Sequence, residues 1–261
     1  MIKLTAHIPT QTYGFLEVSG DLADQSEVER LYNHYAETPV NFSSAPQSDR
    51  KEIKAFVGGS IFYSSATHTY TNKEGEVYLS GSVYANQFRT PFDKLAIAKK
   101  MATKYGVQAQ DIIDMWELKG DVSRGFGTAM HAALELYGKY NGLATSLERD
   151  THLHDHPVIK KAVMDFYAGR EQEKAEYEVM IVDHKAKRAG QIDRLLILDP
   201  IKKICQVEDY KTNADIKKDL EVYWKQLDFY VGILEADGWT CHPSVIHHWD
   251  GEWHTYTKGE K

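Results

Sequence analysis

Apolar residues in the C-terminal half of the chain recur at two different spacings. Stretches with a helical repeat of apolar residues predict helices, and stretches in which every second residue is apolar predict strands. From residue 122 onward the pattern gives the order α, β, β, β, α, β, which indicates a central mixed sheet flanked by helices. The predicted helices cover about 122–140, 156–168 and 215–236, and the predicted strands cover 177–183, 191–198, 203–211, 243–249 and 253–256.

The segment before residue 122 changes from strands to helices. Residues 56–88 are rich in Tyr, Val, Ser, Thr and Gly, which favours strands. The sequence Asn-Lys-Glu-Gly at 72–75 lies between two such runs and predicts a hairpin. A helix is predicted over about 108–118, after a first helix in the preceding stretch.

Two proline positions predict where helices begin. Thr90 followed by Pro91 predicts an N-cap and a first helical residue, and Gly106 predicts the end of the same helix. Asp155 is the predicted N-cap of a later helix, with Pro157 just inside it. Proline suits these positions because the first backbone N–H groups of a helix have no intrahelical partner.

The N-terminal fifth of the chain differs from the rest in its pattern of apolar and polar residues. One or two strands are predicted within residues 4–18, and a helix is predicted over 26–35. A polar, proline-containing stretch at 38–49 is either a linker or a long loop. We therefore expect a small α+β module or extension at 1–55 and one larger domain at 56–261.

Charge and hydropathy exclude several functional classes. The formal net charge of −7 is not typical of a protein that coats DNA without specificity, because such proteins are basic. An acidic balance suits a site in which clustered carboxylates hold a divalent cation. The chain has no apolar run long enough to span a membrane and no signal-peptide pattern, so we expect a cytoplasmic protein without a membrane partner.

Cys205 and Cys241 are the two cysteines of the chain. Two cysteines are too few for a disulfide framework or for a cluster with four cysteine ligands. We expect a reducing compartment in which both thiols are small buried apolar groups.

Acidic residues end two of the predicted strands. Because side chains alternate along a strand, Asp209 and Lys211 share a face with the apolar residues at two and four positions before Asp209. Asp193 likewise shares a face with Leu195 and Ile197 on the predicted strand 191–198. If the two strands are neighbours, Asp193 and Asp209 approach each other, and two close carboxylates repel unless a cation lies between them.

This arrangement favours chemistry with Mg²⁺ or Mn²⁺. Both ions prefer hard oxygen ligands and keep water in their coordination shell. A lysine beside such a water, here Lys211, orients the water and offsets negative charge in the transition state.

Four short motifs together resemble the RecB-type nucleases of the PD-(D/E)xK superfamily, a group that also includes the CRISPR-associated adaptation nucleases. The motifs follow one another in the order typical of that group and extend over about residues 60–255. They are Gly-Thr-Ala-Met-His-Ala-Ala-Leu-Glu at 127–135, Gly-Gln-Ile-Asp at 190–193, Asp-Tyr-Lys-Thr at 209–212 and Gln-Leu-Asp-Phe-Tyr at 226–230.

The resemblance implies a fold and a role for individual residues. The implied fold is α/β with a restriction-endonuclease-like core. His131, Asp193 and Asp209 would be metal ligands, together with the backbone carbonyl of Tyr210, and Lys211 would be the catalytic lysine. The expected cofactor is Mg²⁺ or Mn²⁺.

Three further residues receive roles from the same resemblance. Gln226 and Tyr230 lie four apart on one helix face, which in this group lines the active site and the DNA path. Glu178 matches an acidic residue often found on the first strand, although Glu171, Glu173 and Glu176 are close alternatives. The iron–sulfur cysteines of some relatives have no counterpart here, so no cluster is expected.

The resulting hypothesis is a metal-dependent deoxyribonuclease. Exonuclease action on DNA ends or single strands is expected first, in recombination, repair or phage DNA processing, with a recombination or replication protein as a further partner. The alternatives are a structure-specific endonuclease and a nuclease-fold module that binds DNA or protein without cutting.

Overall fold

The computed structural model describes residues 3–10, 14–21, 49–141, 156–170 and 172–260. The chain divides into two compact units, Met1–Gln47 and Ser48–Lys261. In the first unit, strands β1 (Lys3–Thr10) and β2 (Gly14–Asp21) form an antiparallel hairpin. The strands expected within 4–18 are therefore present, and the helix expected over 26–35 lies outside the described residues.

The second unit begins earlier than the expected boundary after residue 55. Strand β3 (Arg50–Lys54) pairs with β4 (Ser60–Ser64), which pairs with β5 (Thr69–Thr71), and all three are antiparallel. Because its partner strand belongs to the larger unit, β3 belongs there as well.

The hairpin turn expected at 72–75 is present at the end of β5. The backbone N–H of Gly75 donates to the Asn72 carbonyl, and Thr71 and Val77 form an antiparallel bridge. Gly75 has φ +87°, a conformation that glycine adopts without the steric cost of a Cβ.

A six-stranded mixed sheet forms the centre of the second unit. It consists of β6 (Leu79–Ser80), β7 (Ala175–Asp183), β8 (Arg188–Asp199), β9 (Ile204–Lys211), β10 (Thr240–Trp249) and β11 (Trp253–Thr257). The order is β11-β10-β9-β8-β6, and β7 runs along the opposite edge of β8. The β9–β10 and β6–β8 pairs are parallel, and the other pairs are antiparallel.

Helices cover both faces of this sheet. They are α1 (Gly81–Asn86), α2 (Lys94–Tyr105), α3 (Ala109–Asn141), α4 (Pro157–Tyr167) and α5 (Ile216–Ala236). Helix α5 packs on a cluster that includes Leu195 and Val207, whereas α3 and α4 pack on a cluster that includes Tyr210. The expectation of an α/β fold with a mixed sheet between helices is confirmed; the observed order from α3 onward is α, α, β, β, β, α, β, β, which contains the expected α, β, β, β, α, β.

Two expected helix starts were wrong, one by three residues and the other by one. Helix α2 begins after Asp93, whose carboxylate accepts from the Ala96 N–H at 2.9 Å, and not at Thr90 and Pro91. The N-cap of α4 is His156 rather than Asp155, because Pro157 occupies the first helical position itself.

The two helices expected at 108–118 and 122–140 are a single helix of 33 residues. Gly120, between them, interrupts the apolar pattern but not the backbone hydrogen bonds. A glycine inside a helix costs about 1 kcal/mol relative to alanine, far less than the proline that would break it. Gly106, with φ +69°, ends α2 as expected.

None of the helices in the described part of the chain combines the length and the apolar character needed to cross a lipid bilayer.

Tyr230 of α5 is packed between two glycines. A Cβ on Gly81 or on Gly190 would lie 2.4 Å from Cε1 of the Tyr230 ring. We expect Gly190→Ala to destabilise the protein by about 2–3 kcal/mol, because Gly81 blocks the ring from moving away. The measurement is the free energy of unfolding from urea titration.

Gly232→Ala is the matched control for this substitution. Gly232 lies in α5, two residues after Tyr230, but the nearest atom to its added Cβ is the Arg188 Nη1 at 3.5 Å, an ordinary contact. We expect a neutral to slightly stabilising change there, since alanine favours a helix over glycine. Equal stabilities of the two variants would contradict the packing argument.

Candidate functional site

Three carboxylates lie in a line across strands β7, β8 and β9. The β7–β8 pairs on either side of Glu178 place it opposite Asp193. One residue beyond the β8–β9 pair Arg194–Glu208, Asp193 in turn lies opposite Asp209. The strands that bear Asp193 and Asp209 are therefore neighbours, as expected from the sequence. Like charges at opposite positions destabilise a sheet, so ionisation of all three carboxyl groups would require compensating positive charge.

The backbone at Glu178 is strained. Its φ is +52°, in the left-handed region, although Glu178 is not glycine and lies inside a strand. This conformation costs about 1–2 kcal/mol for a residue with a Cβ. Strain of this kind concentrates at functional sites, where the surrounding structure holds a side chain in one required position.

Glu178 is also strained electrostatically. Burial raises the pKa of its carboxyl group to about 8, and the charges of Asp193, Glu135 and Asp209 add to that effect. A bound cation would reverse the sign of this interaction, because it would favour the ionised form.

Helix α3 brings His131 to the same place. The Nδ1 of His131 lies 3.4 Å from the Asp193 Oδ2, and its ring packs edge-on against Tyr210 with centroids 5.7 Å apart. Asp193 Oδ2 also accepts a hydrogen bond of 3.0 Å from the Tyr210 backbone N–H, which fixes the carboxylate between α3 and β9.

Two glycines allow α3 to approach the sheet closely. A Cβ on Gly127 would lie 3.0 Å from the Oγ1 of Thr212, which directly follows β9, and a Cβ on Gly138 would lie 2.3 Å from Cζ of Tyr177 in β7. Gly125, in the same helix, has nothing within 4 Å of such a Cβ. The close approach at positions 127 and 138 on either side of His131 explains how an imidazole on a helix reaches carboxylates on strands.

His131, Glu178 and Asp193 form a candidate metal centre. Their nitrogen and oxygen donor atoms lie within 4.8 Å of one another. Two donors on one Mg²⁺ are at most about 4.2 Å apart, so the three side chains would have to move closer together to share one ion. An imidazole with two carboxylates suits a divalent cation such as Mg²⁺ or Mn²⁺ and would relieve the repulsion described above.

Asp209 is engaged differently from the other two acids. It is paired with Lys211, whose Nζ lies 2.5 Å from the Asp209 Oδ2, and it does not belong to the three-residue donor cluster. Burial raises the pKa of Asp209 to about 6, against the lowering effect of Lys211. The roles of Asp209 and of the Tyr210 carbonyl as metal ligands stay predictions.

Lys211 is held as a cation. Burial alone would lower the pKa of its ammonium group, but the charges of Asp209 and Asp193 outweigh burial and raise that pKa. Its Nζ also lies over the ring of Tyr223 on α5, 4.8 Å from the centroid, a cation–π contact. Lys211 is thus charged. Its contacts with the Asp209 carboxylate on its own strand and with the Tyr223 ring on α5 restrict its position.

Gln226 and Tyr230 contact each other as their spacing predicts. The Gln226 Nε2 donates to the Tyr230 hydroxyl at 2.8 Å. Tyr230 is only 4 % exposed and belongs to the core between β8 and α5, whereas Gln226 is partly exposed. Gln226 is therefore accessible from solvent, and its hydrogen bond to the Tyr230 hydroxyl orients its amide group.

Sequence reasoning missed Tyr223 and Glu135. Tyr223 lies three residues before Gln226, and Glu135 lies one helical turn after His131. Their helical spacing from residues already singled out was a usable signal. The Tyr223 ring contacts the ammonium group of Lys211, and the charge of Glu135 raises the pKa of Glu178.

A buried ion network stabilises the strands behind the site. Arg194, 1 % exposed, forms ion pairs with Glu208 and with Glu173, and the His247 Nε2 lies 3.1 Å from the Glu208 carboxylate. Burial opposes the ionised form of Glu208, yet the His247 hydrogen bond and the Arg194 charge lower its pKa. Because Arg194 and Glu208 directly adjoin Asp193 and Asp209 in the chain, this network fixes the strands on which those carboxylates sit.

Comparisons with known proteins add little to this geometry. No protein-family model matches the chain, and no curated protein matches it. One solved structure, entitled "Crystal structure of SSO0001", aligns over 49 % of this chain and 65 % of that chain, at 15 % sequence identity and a TM-score of 0.27. The alignment thus spans less than two thirds of that protein, and a TM-score this low supports no inference about fold or function.

Proposed function

We propose that this chain is a metal-dependent deoxyribonuclease with a restriction-endonuclease-like core. The observation that supports the proposal most strongly is the convergence of His131, Glu178 and Asp193, with the Asp209–Lys211 pair beside them. These residues come from one helix and three strands. A protein that only binds DNA has no need of crowded carboxylates that destabilise its own sheet.

His131, Glu178 and Asp193 would hold the cofactor, with Asp209 and the Tyr210 carbonyl as further ligands. A Mg²⁺ or Mn²⁺ ion supplies Lewis-acid chemistry at such a site, because it lowers the pKa of water and withdraws charge from a phosphate oxygen.

Lys211 stabilises the reaction as a cation and hydrogen-bond donor. The carboxylates around it raise its pKa, so it keeps its proton at neutral pH and does not serve as a general base. Its ammonium group would orient the attacking water and offset the negative charge that develops on the phosphate. Water adds to phosphorus, the bond from phosphorus to the 3′ oxygen breaks, and the products have a 5′-phosphate and a 3′-hydroxyl.

The favoured mode of action is exonucleolytic degradation of DNA ends or single strands. The resemblance of the motifs to RecB-type nucleases supports this choice, as well as a place in recombination, repair or phage DNA processing with a protein partner. A structure-specific endonuclease and a non-cutting module are the alternatives that an assay must separate.

The test compares linear duplex, single-stranded and closed circular DNA in the presence of Mg²⁺, Mn²⁺ or EDTA. We expect metal-dependent degradation of linear or single-stranded DNA, and an Asp193→Asn variant should lose it by at least about a hundredfold, since the substitution removes a metal ligand. Asp165→Asn, on the exposed side of α4, is the matched control and should retain full activity.

Each other outcome identifies a rival. Circles cut as fast as linear DNA would replace the exonuclease by an endonuclease. DNA binding without cleavage in any metal would replace the enzyme by a binding module.

A further inference from the structure

Cys205 and Cys241 lie side by side in the sheet, away from the candidate metal centre. They are a register pair of the parallel strands β9 and β10, and their Sγ atoms are 3.6 Å apart. Cys205 is buried and Cys241 is half-buried. The expectation that both thiols are simply buried apolar groups was therefore wrong for Cys241, which reaches the surface.

The backbone at this pair is compatible with a disulfide. Neighbouring strands are about 4.8 Å apart, and the Cα atoms of disulfides are about 4.4–6.8 Å apart. The pairing of β10 with β9 shifts register between His242 and Val245, directly after Cys241. A β-bulge interrupts the ladder locally, so the regular pairing of β10 with β9 ends directly beside the cysteine pair.

We propose that Cys205 and Cys241 are an oxidation site that closes reversibly to an intramolecular disulfide when the protein meets a peroxide. The cross-link joins β9, the strand that bears Asp209 and Lys211, to its neighbour β10. Because Cys241 is half-buried rather than fully buried, a small thiol can reach its sulfur, and we therefore expect a reversible modification rather than a permanent staple.

Cys241 is the thiol that reacts first. It is the more accessible of the two, and the hydrogen bond from the Cys205 thiol lowers its pKa against the opposing effect of burial. Its thiolate attacks one peroxide oxygen, the O–O bond breaks, and a sulfenic acid and hydroxide form. The Cys205 sulfur then attacks the Cys241 sulfur, the S–O bond breaks, and the sulfenic oxygen leaves as water together with the Cys205 proton.

The experiment treats the reduced full chain with hydrogen peroxide and follows free thiols and intact mass. We expect both thiols to disappear together, with a mass loss of two hydrogen atoms. A proteolytic digest should join the peptides that contain Cys205 and Cys241, and dithiothreitol should restore both thiols.

Two single variants test the order of events. Cys205→Ser should stop at a sulfenic acid on Cys241 and gain one oxygen, whereas Cys241→Ser should slow oxidation of Cys205 by at least about tenfold because that thiol is buried. Independent oxidation of the two cysteines, or disulfides only between separate molecules, would overturn the proposal. None of these readouts depends on cleavage of DNA.

Discussion

Replacement of Lys211 by methionine is expected to lower metal-dependent DNA cleavage by about a thousandfold, the effect of removing one well-placed group that stabilises charge in a transition state. Methionine keeps most of the apolar stem that packs near Tyr223 but removes the ammonium group that pairs with Asp209. The loss should appear in kcat, because the charge that Lys211 offsets develops only during the reaction. Single-turnover cleavage of end-labelled DNA measures it.

Lys202→Met is the control for this substitution. Lys202 lies in the turn that leads into β9, and its side chain is 75 % exposed in a surface ion pair with Asp199. Such pairs are worth little, so full activity is expected. The variant at position 211 should still be stabilised by Mn²⁺ in thermal unfolding, because the donor cluster of His131, Glu178 and Asp193 is intact. Cleavage within tenfold of the wild type would show that Lys211 has no part in the chemistry.

The strands and the last helix were predictable because local pattern and tertiary structure agree there. Strand β9 was expected at 203–211 and spans Ile204–Lys211, since apolar alternation and a preceding turn both define it. The long helix α3 was not predicted as one element. Gly120 weakens the helical repeat of apolar residues locally, so the sequence suggests a break there. The helix continues because the residues after Gly120 pack against other elements, and a short stretch of sequence does not contain that information.

The candidate site was predictable to the extent that it depends on alternation and strand adjacency. Asp193, Asp209 and Lys211 could be placed together because each ends an apolar row. The roles of His131 and Glu178 were predicted from the resemblance to RecB-type nucleases. The sequence around these two residues does not indicate that their helix and strand lie next to the strands of Asp193 and Asp209. The left-handed backbone at Glu178 and the contact of Lys211 with Tyr223 depend on register and on packing between distant elements, which no single stretch of sequence specifies.

The metal-free protein is expected to become more stable when Glu178 is replaced by glutamine. Because the pKa of Glu178 in the folded protein is about 8, above its value of 4.5 in a model peptide, folding favours the neutral carboxyl group. Below pH 4.5 the group is protonated in both states and costs nothing. Between pH 4.5 and 8 the unfolded chain releases the proton while the folded chain keeps it, so stability falls as pH rises, and the full cost is present above pH 8.

Glu178→Gln removes this cost. In EDTA at pH 8–9 we expect the variant to exceed the wild type by about 2 kcal/mol in free energy of unfolding, less than the whole pKa shift would give because Glu178 keeps some contact with water. At pH 4 the two proteins should have equal stability. Urea titrations at the two pH values measure the difference.

The same substitution should weaken the response to metal. Wild-type protein gains stability from Mn²⁺ in proportion to the logarithm of its concentration over the dissociation constant, and loss of one carboxylate ligand should raise that constant by at least about tenfold. Glu176→Gln, exposed two residues earlier on the same strand, is the matched control and should change neither property. If Glu178→Gln were no more stable than the wild type in EDTA at pH 8–9, yet bound Mn²⁺ equally well, Glu178 would be neither a strained acid nor a ligand. A gain in stability coupled to a loss of metal affinity would instead identify Glu178 as an acid whose unfavourable position is maintained for the cation.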